Sequence, residues 1–322
     1  MDELSAKGRV ETLIRSLSRF SERAMLIITG KSDVALEAKK IGPALIFERL
    51  WQQTGIGAAI RKQAAERKFE FDVERAVFLT VLHRLMVSGS DRFCDRWHQD
   101  YVIKGVGGIE LQHLYRAMAW LGEELPADQQ AGSTGFVRRC LKDRIEELLF
   151  ARRQTLFSDL DLVFFDTTSV YFEGQGGQTI GRHGHSKDHR PDLPQMVVGA
   201  VLDSTGRPLC CELWPGNTTD VKTLVPIVDR LRQRFHITRI CIVADRGMIS
   251  KQTLAELDQP TRGVHFILGA RVRLVKEVRE VVLTNAGPYE EVYGPKAHSQ
   301  DPAPLEVKEV KVGPRRYVVC RN

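Results

Sequence analysis

The chain has 322 residues, 43% hydrophobic and 27% charged, a balance that supports packed cores and excludes a low-complexity polypeptide. Its net charge of +6 favours a polyanionic partner, and no run approaches the ~18 consecutive apolar residues of a membrane helix. The start, MDELSAKGRVETL, lacks the apolar block of a signal peptide, and the six cysteines form no C-x-x-C pair, so a cytoplasmic protein with reduced, structural thiols is expected.

Residues 1–155 read as a helical region, because their apolar residues recur at spacings of three and four. One stripe runs through Val73, Ala76, Val77 and Val81, and a second through Leu111, Leu114, Tyr115, Met118 and Leu121. A third joins Val137, Cys140, Leu141, Ile145, Leu148 and Leu149, with Arg138, Arg139, Lys142, Asp143, Glu146 and Glu147 on a face expected to be solvated. Gly and Pro clusters at 105–108 and 126–135 separate the stripes. A structural bundle and a DNA-binding or dimerisation region both fit this pattern. Bulk charge does not choose between them: 25 Lys and Arg face 22 Asp and Glu before residue 160, and 22 face 19 after it, so each part carries +3.

From Leu162 the period shortens to that of strands, at 162–165, 196–202, 209–214, 240–244 and 264–268. Asp203-Ser204-Thr205-Gly206 supplies the turn of an antiparallel hairpin. A helix with Val221, Leu224, Val225, Val228, Leu231 and Phe235 on one face follows, with Asp220 or Thr219 as its cap and Pro226 near its first turn. A second helix covers 251–257. The result is a β-β-β-α-β-α-β order, a mixed α/β sheet over residues 156–271. Beyond it, 271–278 and 305–311 read as strands of a separate β-rich piece, residues 272–322.

Asp166 closes one apolar strand and Asp245 another. Taken singly, each is explained by turn capping, Asp166 with Thr167 and Thr168, Asp245 with Arg246-Gly247. Taken together on neighbouring central strands, two carboxylates need positive charge between them, and hard oxygen ligands suit Mg²⁺ or Mn²⁺. A pair of such ions activates an attacking oxygen and stabilises a leaving one in phosphodiester chemistry. Between the first two strands lies a long, glycine-rich segment, 171–195, holding Arg182, His183, His185, Lys187, His189 and Arg190. This cationic cluster suits phosphate contacts beside the metals; a zinc site built from its histidines, or a merely solvated loop, is the competing reading.

The motifs Phe-Phe-Asp-Thr-Thr-Ser-Val-Tyr-Phe-Glu-Gly, Gly-His-Ser-Lys-Asp-His-Arg-Pro-Asp-Leu-Pro-Gln (184–195), Trp-Pro-Gly-Asn-Thr-Thr-Asp (214–220) and Val-Ala-Asp-Arg-Gly-Met (243–248), in this order, resemble the insertion-sequence-four superfamily of DDE transposases. The likeness extends into the helical part, at 41–51 and 113–121. It implies an RNase H-like catalytic domain, helical DNA-binding and dimerisation parts ahead of it, and a β-rich insertion after its fifth strand. It further implies two Mg²⁺ or Mn²⁺ ions on Asp166 and Asp245, DNA contacts from Arg182, His185, Lys187, Arg190 and Arg246, and a homodimer synapsing terminal inverted repeats with target DNA. The family's third acid, a glutamate in a Tyr-x-x-Arg-x-x-x-Glu-x-x-x-x-x-x-Lys motif, has no counterpart: Tyr289, Tyr293 and Tyr317 head no such run, and Glu277 and Glu280 lie in a strand-like stretch. The sequence thus reads as ending inside the insertion. Two functions follow, a transposase that nicks and joins DNA, or a truncated, inactive form that binds DNA or full-length enzyme. A phosphohydrolase with an aspartate nucleophile is disfavoured, because Thr168 stands where its second Asp belongs.

Overall fold

The computed structural model describes residues 12, 16, 39–131, 133, 138–153, 162–174, 177–237, 240–270, 275–296 and 298–321. Val137 of the third helical stripe and residues 271–274 of the expected strand lie outside them. The chain divides into two compact units, Met1–Gln53 with Arg67–Ala117, and Thr54–Glu66 with Met118–Asn322.

Among the described residues the first unit holds the helices α1 (Gly42–Thr54), α3 (Val73–Met86), α4 (Asp91–Trp97) and the greater part of α5 (Leu111–Leu121). The Asp72 side chain accepts the Arg75 N–H at 3.1 Å and starts α3, and Ser90 accepts the Phe93 N–H at 3.2 Å and starts α4. Helix α3 is buried almost all round, including Glu74 and Arg75. These charges are tolerated because each is paired: Glu74 accepts from Trp51 Nε1 at 2.5 Å and from Arg75 at 2.6 Å, and Arg75 reaches Glu48 of α1 at 2.8 Å.

The second unit holds α2 (Ile56–Ala64), α6 (Leu141–Arg153) and a five-stranded sheet: β1 (Leu162–Tyr171), β2 (Gln195–Asp203), β3 (Pro208–Pro215), β4 (Ile240–Ala244) and β5 (Val264–Leu268). Its order is β3-β2-β1-β4-β5, antiparallel on the β2 and β3 side and parallel from β1 to β5. This is the mixed α/β, RNase H-like arrangement read from the sequence. The β2–β3 hairpin turns where Asp203 Oδ1 accepts the Thr205 and Arg207 N–H groups and Gly206 takes a φ of 78°.

Helix α7 (Leu224–Phe235) covers one face of the sheet, packing Leu224, Ile227, Val228, Leu231 and Phe235 into a core with Val163, Phe165, Val197, Val201, Ile240 and Ile242. Pro226 falls in the first turn of α7, where a missing N–H costs no intrahelical bond. The helix begins after Thr223, and Asp220–Lys222 forms a separate 3₁₀ turn. Asp220 therefore does not cap α7; its carboxylate is used elsewhere. Gly199 on β2 is wedged between aromatic rings, and a Cβ there would lie 2.6 Å from Trp214 and 2.8 Å from Phe165. Helix α8 (Lys251–Leu257), started by Ser250, leads into β5.

The charged face of α6 is not solvated. Asp143 and Arg139 are buried, and Arg234 of α7, with no exposed side-chain surface, binds Glu212 on β3 at 2.7 Å, Glu146 at 2.7 Å, Glu147 at 3.1 Å and Asp143 at 3.4 Å. Arg230 adds a 3.0 Å pair with Glu212, and Lys142 bridges Asp143 and Glu146 at 2.9 Å each. A balanced ion network thus joins α6, α7 and β3, which the helical period of α6 alone could not disclose.

A second, antiparallel sheet follows, β6 (Glu290–Tyr293), β7 (Leu305–Val312) and β8 (Arg315–Arg321), in that order. Of the stretch expected to be a strand, 276–277 is helical instead, and it continues as a π-helical segment, Val278–Val282. Val275, Val278 and Val282 share one helical face, and they pack with Val310 of β7 into a small separate core. Their β-branching suggested a strand; their spacing decided for a helix.

Burial raises the proton affinity of five cysteine thiols. Cys94 is pushed up to about 12, Cys140, Cys210, Cys211 and Cys241 are also raised, and all six cysteines are free.

Candidate active site

Strand β4 pairs with β1 in parallel from Leu162↔Cys241 to Phe165↔Ala244, and the next residue on each strand path is Asp166 and Asp245. Neighbouring strands lie roughly 4.8 Å apart, so this register sets the two carboxylates side by side. Asp166 does not end its strand, as the sequence suggested. Strand β1 runs on to Tyr171 along β2, and it is the pairing with β4 that stops at Phe165. Asp166 is therefore held by a strand on one side only, while Asp245 leads from β4 into the 3₁₀ turn Arg246–Met248.

Side chains alternate on β1, so Val163, Phe165, Thr167 and Ser169 are buried while Phe164, Asp166, Thr168 and Val170 are exposed. Asp166 and Asp245 line one open depression with Phe164, Ala200, Leu202 and Val243. Each makes the local bond expected of a turn residue: Asp166 Oδ1 accepts the Thr167 N–H at 2.7 Å, and Asp245 Oδ1 accepts the Arg246 N–H at 2.6 Å. The second oxygen of each carboxylate has no protein hydrogen bond among the described residues. Turn capping and ligand binding are compatible here, since one oxygen serves each. Two adjacent, exposed carboxylates with open oxygens are a donor set suited to a hard divalent cation. Among the described residues no group of three or more His, Cys, Asp or Glu converges on a metal position, which also leaves the loop histidines without a zinc-binding arrangement.

The cationic segment is folded back along the sheet. Arg182 and Gln195 exchange backbone hydrogen bonds of 3.0 Å, and Gln195 Nε2 donates to the carbonyls of His185 and Gly216. The Arg182 guanidinium donates to the Gly181 carbonyl at 2.7 Å. Arg190 binds both carboxylate oxygens of Asp192, at 3.0 and 2.8 Å, with its guanidinium over the Tyr171 ring. Arg246 stands directly beside Asp245 in the 3₁₀ turn. Lys187 is turned toward β1: its ammonium donates to the Thr167 carbonyl, lies 3.1 Å from Thr167 Oγ1, and is 3.6 Å from Asp220 Oδ2.

Two residues beside the aspartates escaped the sequence reading. The Thr167 hydroxyl donates to Asp220 Oδ1 at 2.8 Å, and Asp220 Oδ2 is so close to Gly247 that a Cβ there would approach within 3.2 Å. The available signal was that Asp220 closes the motif at 214–220, but an Asp just ahead of a helix reads first as its cap.

Residues 157–311 match the family model described as the transposase DDE domain. No curated protein matches the sequence. Among solved structures the chain is similar to a piggyBac transposase in a synaptic complex with hairpin DNA, at 12% identity and a TM-score of 0.41, covering 88% of this chain and 61% of that one. It is also similar to Mos1 transposase in a paired-end complex with the left transposon end, at 12% identity and a TM-score of 0.25, covering 82% and 78%. A third similar structure is the Mos1 mariner paired end complex with Mn, at 11% identity and a TM-score of 0.23, covering 81% and 77%. The chain thus spans about three fifths of the piggyBac chain's length.

Proposed function

We propose that this protein, whose residues 157–311 match the model of the transposase DDE domain, is a DNA transposase that nicks and joins DNA at the ends of an insertion sequence. The observation that carries the reading is the parallel β1–β4 register, which delivers Asp166 and Asp245 to one open depression. In this reading the two aspartates hold two Mg²⁺ or Mn²⁺ ions. Such ions supply charge neutralisation and activation of oxygen at a phosphodiester. The protein's own part is to fix the carboxylates on a rigid sheet, keep their free oxygens open, and bring DNA phosphates alongside. Arg182, His185, Arg190 and Arg246 are the proposed phosphate contacts, supplied by the loop that follows β1 and the turn that follows β4, while Lys187 of the same loop is turned toward β1. Terminal inverted repeats and target DNA are the proposed substrates, a synaptic homodimer the proposed assembly, and the cytoplasm the proposed location. Residues 1–155 serve DNA binding and dimerisation, 156–271 the catalytic core, and 272–322 a β-rich insertion.

Incubation with Mn²⁺ and an end-labelled inverted-repeat duplex tests this reading. Metal-dependent nicking that disappears in Asp166→Asn and Asp245→Asn is the expected result. Specific duplex binding with no nicking under any divalent metal would instead establish the binding-only form as the function of this chain.

A further inference from the structure

Side chains on β1 alternate, so the residue after Asp166 points the other way, into the protein. Thr167 is buried there, and two groups from separate motifs meet on it: its hydroxyl donates to Asp220 at 2.8 Å, and its hydroxyl and carbonyl both receive the Lys187 ammonium. Lys187 and Asp220 also face each other at 3.6 Å, and the Lys187 backbone N–H donates to Ser169 Oγ at 2.9 Å, two residues further along β1. The location matters because β4 stops pairing at Phe165, leaving the β1 backbone from Asp166 onward, among the described residues, with β2 as its only strand partner. On its other side, the Asp220 carboxylate packs on Gly247, two residues after Asp245. The cluster therefore reaches both acid-bearing segments where the β1–β4 pairing has ended.

We infer that Lys187 and Asp220 are positioning residues, which through Thr167 and Gly247 hold the Asp166 and Asp245 segments at the spacing a divalent cation needs. This rests on the metal reading of the two aspartates, and it assigns Lys187 to the site's support rather than to DNA phosphate. Groups behind metal ligands commonly act this way, and losing one costs roughly 10- to 100-fold in metal affinity.

Mn²⁺ alone is the probe, with free Mn²⁺ followed by electron paramagnetic resonance on the full chain, and thermal unfolding followed in parallel. Lys187→Met and Asp220→Asn are each expected to weaken Mn²⁺ binding by roughly 10-fold or more while the protein stays folded. The double variant is expected to lose no more than the worse single one, because both act through one contact, and Lys187→Arg is expected to retain most of the affinity. Asp166→Asn is the control. If it binds Mn²⁺ as tightly as the unaltered protein, the metal reading fails and this inference with it. If Asp166→Asn weakens binding and Lys187→Met and Asp220→Asn do not, the positioning role alone is overturned. A Lys187→Met protein with unaltered Mn²⁺ affinity, but weaker DNA binding and a salt dependence reduced by about one counterion, would make Lys187 a phosphate contact instead.

Discussion

Consecutive residues of β1 carry opposite duties. Asp166 faces the open depression, Thr167 faces inward to Asp220 and Lys187, and a one-residue slip of register would exchange them. What fixes the register is partly Gly199, opposite Thr167 on β2, which makes room for the rings of Phe165 and Trp214. Gly199→Ala is expected to lower stability by about 1–3 kcal/mol in chemical denaturation, since neither aromatic side chain has space to yield. His83 is fully buried in α3 with Phe93 and Trp97 edge-on to its ring and, among the described residues, no hydrogen bond to either ring nitrogen. Burial, aided by Arg84 and opposed by Asp91, lowers its proton affinity, so the folded protein keeps it neutral. Its contribution to stability is complete above the unfolded-chain value of about 6.5 and is lost as pH falls from there through the depressed folded value. Unfolding measured between neutral and mildly acidic pH should show this loss, and His83→Leu should flatten that part of the profile.

At the scale of elements, α6 is anchored by charge as much as by apolar contact. Removing Arg234 leaves Glu212, Asp143, Glu146 and Glu147 short of their shared cation, and Arg234→Met is expected to cost about 3–5 kcal/mol in urea unfolding. Breaking the exposed Arg316–Glu309 pair on the second sheet should cost under about 1 kcal/mol by the same measurement. The contrast explains how much was legible in advance. The five strands and their order could be read because short β-branched runs bounded by turns carry their own period, and the two aspartates could be read because each closes such a run. The α6 face could not, since Lys142, Asp143, Glu146 and Glu147 look the same in sequence whether water or Arg234 solvates them. Asp220 was misread for a related reason: its partners, Thr167 and Lys187, are distant in sequence and meet it only in the folded sheet. At 275–278, the described part of the expected strand 271–278, the composition favoured a strand, and packing of Val278 and Val282 under Val310 overrode it.

For the whole molecule, the net charge of +6 is spread evenly, so DNA binding in this account depends on local placement rather than on a basic domain. Arg182, paired with Gln195, and Arg190, over the Tyr171 ring, lie at the end of β1 beyond Asp166, and Arg182→Ala and Arg190→Ala should each weaken binding across DNA sequences and reduce the salt dependence by about one counterion. Among the described residues no helix is long and apolar enough to cross a membrane. Asp166 and Asp245, brought together by the β1–β4 register, are the proposed metal ligands. Anomalous scattering from crystals grown with Mn²⁺ tests it most directly. The account predicts a peak within about 2.0–2.6 Å of carboxylate oxygens from both Asp166 and Asp245. Peaks confined to other places, such as the loop histidines His183, His185 and His189, with none at the two aspartates, would contradict it.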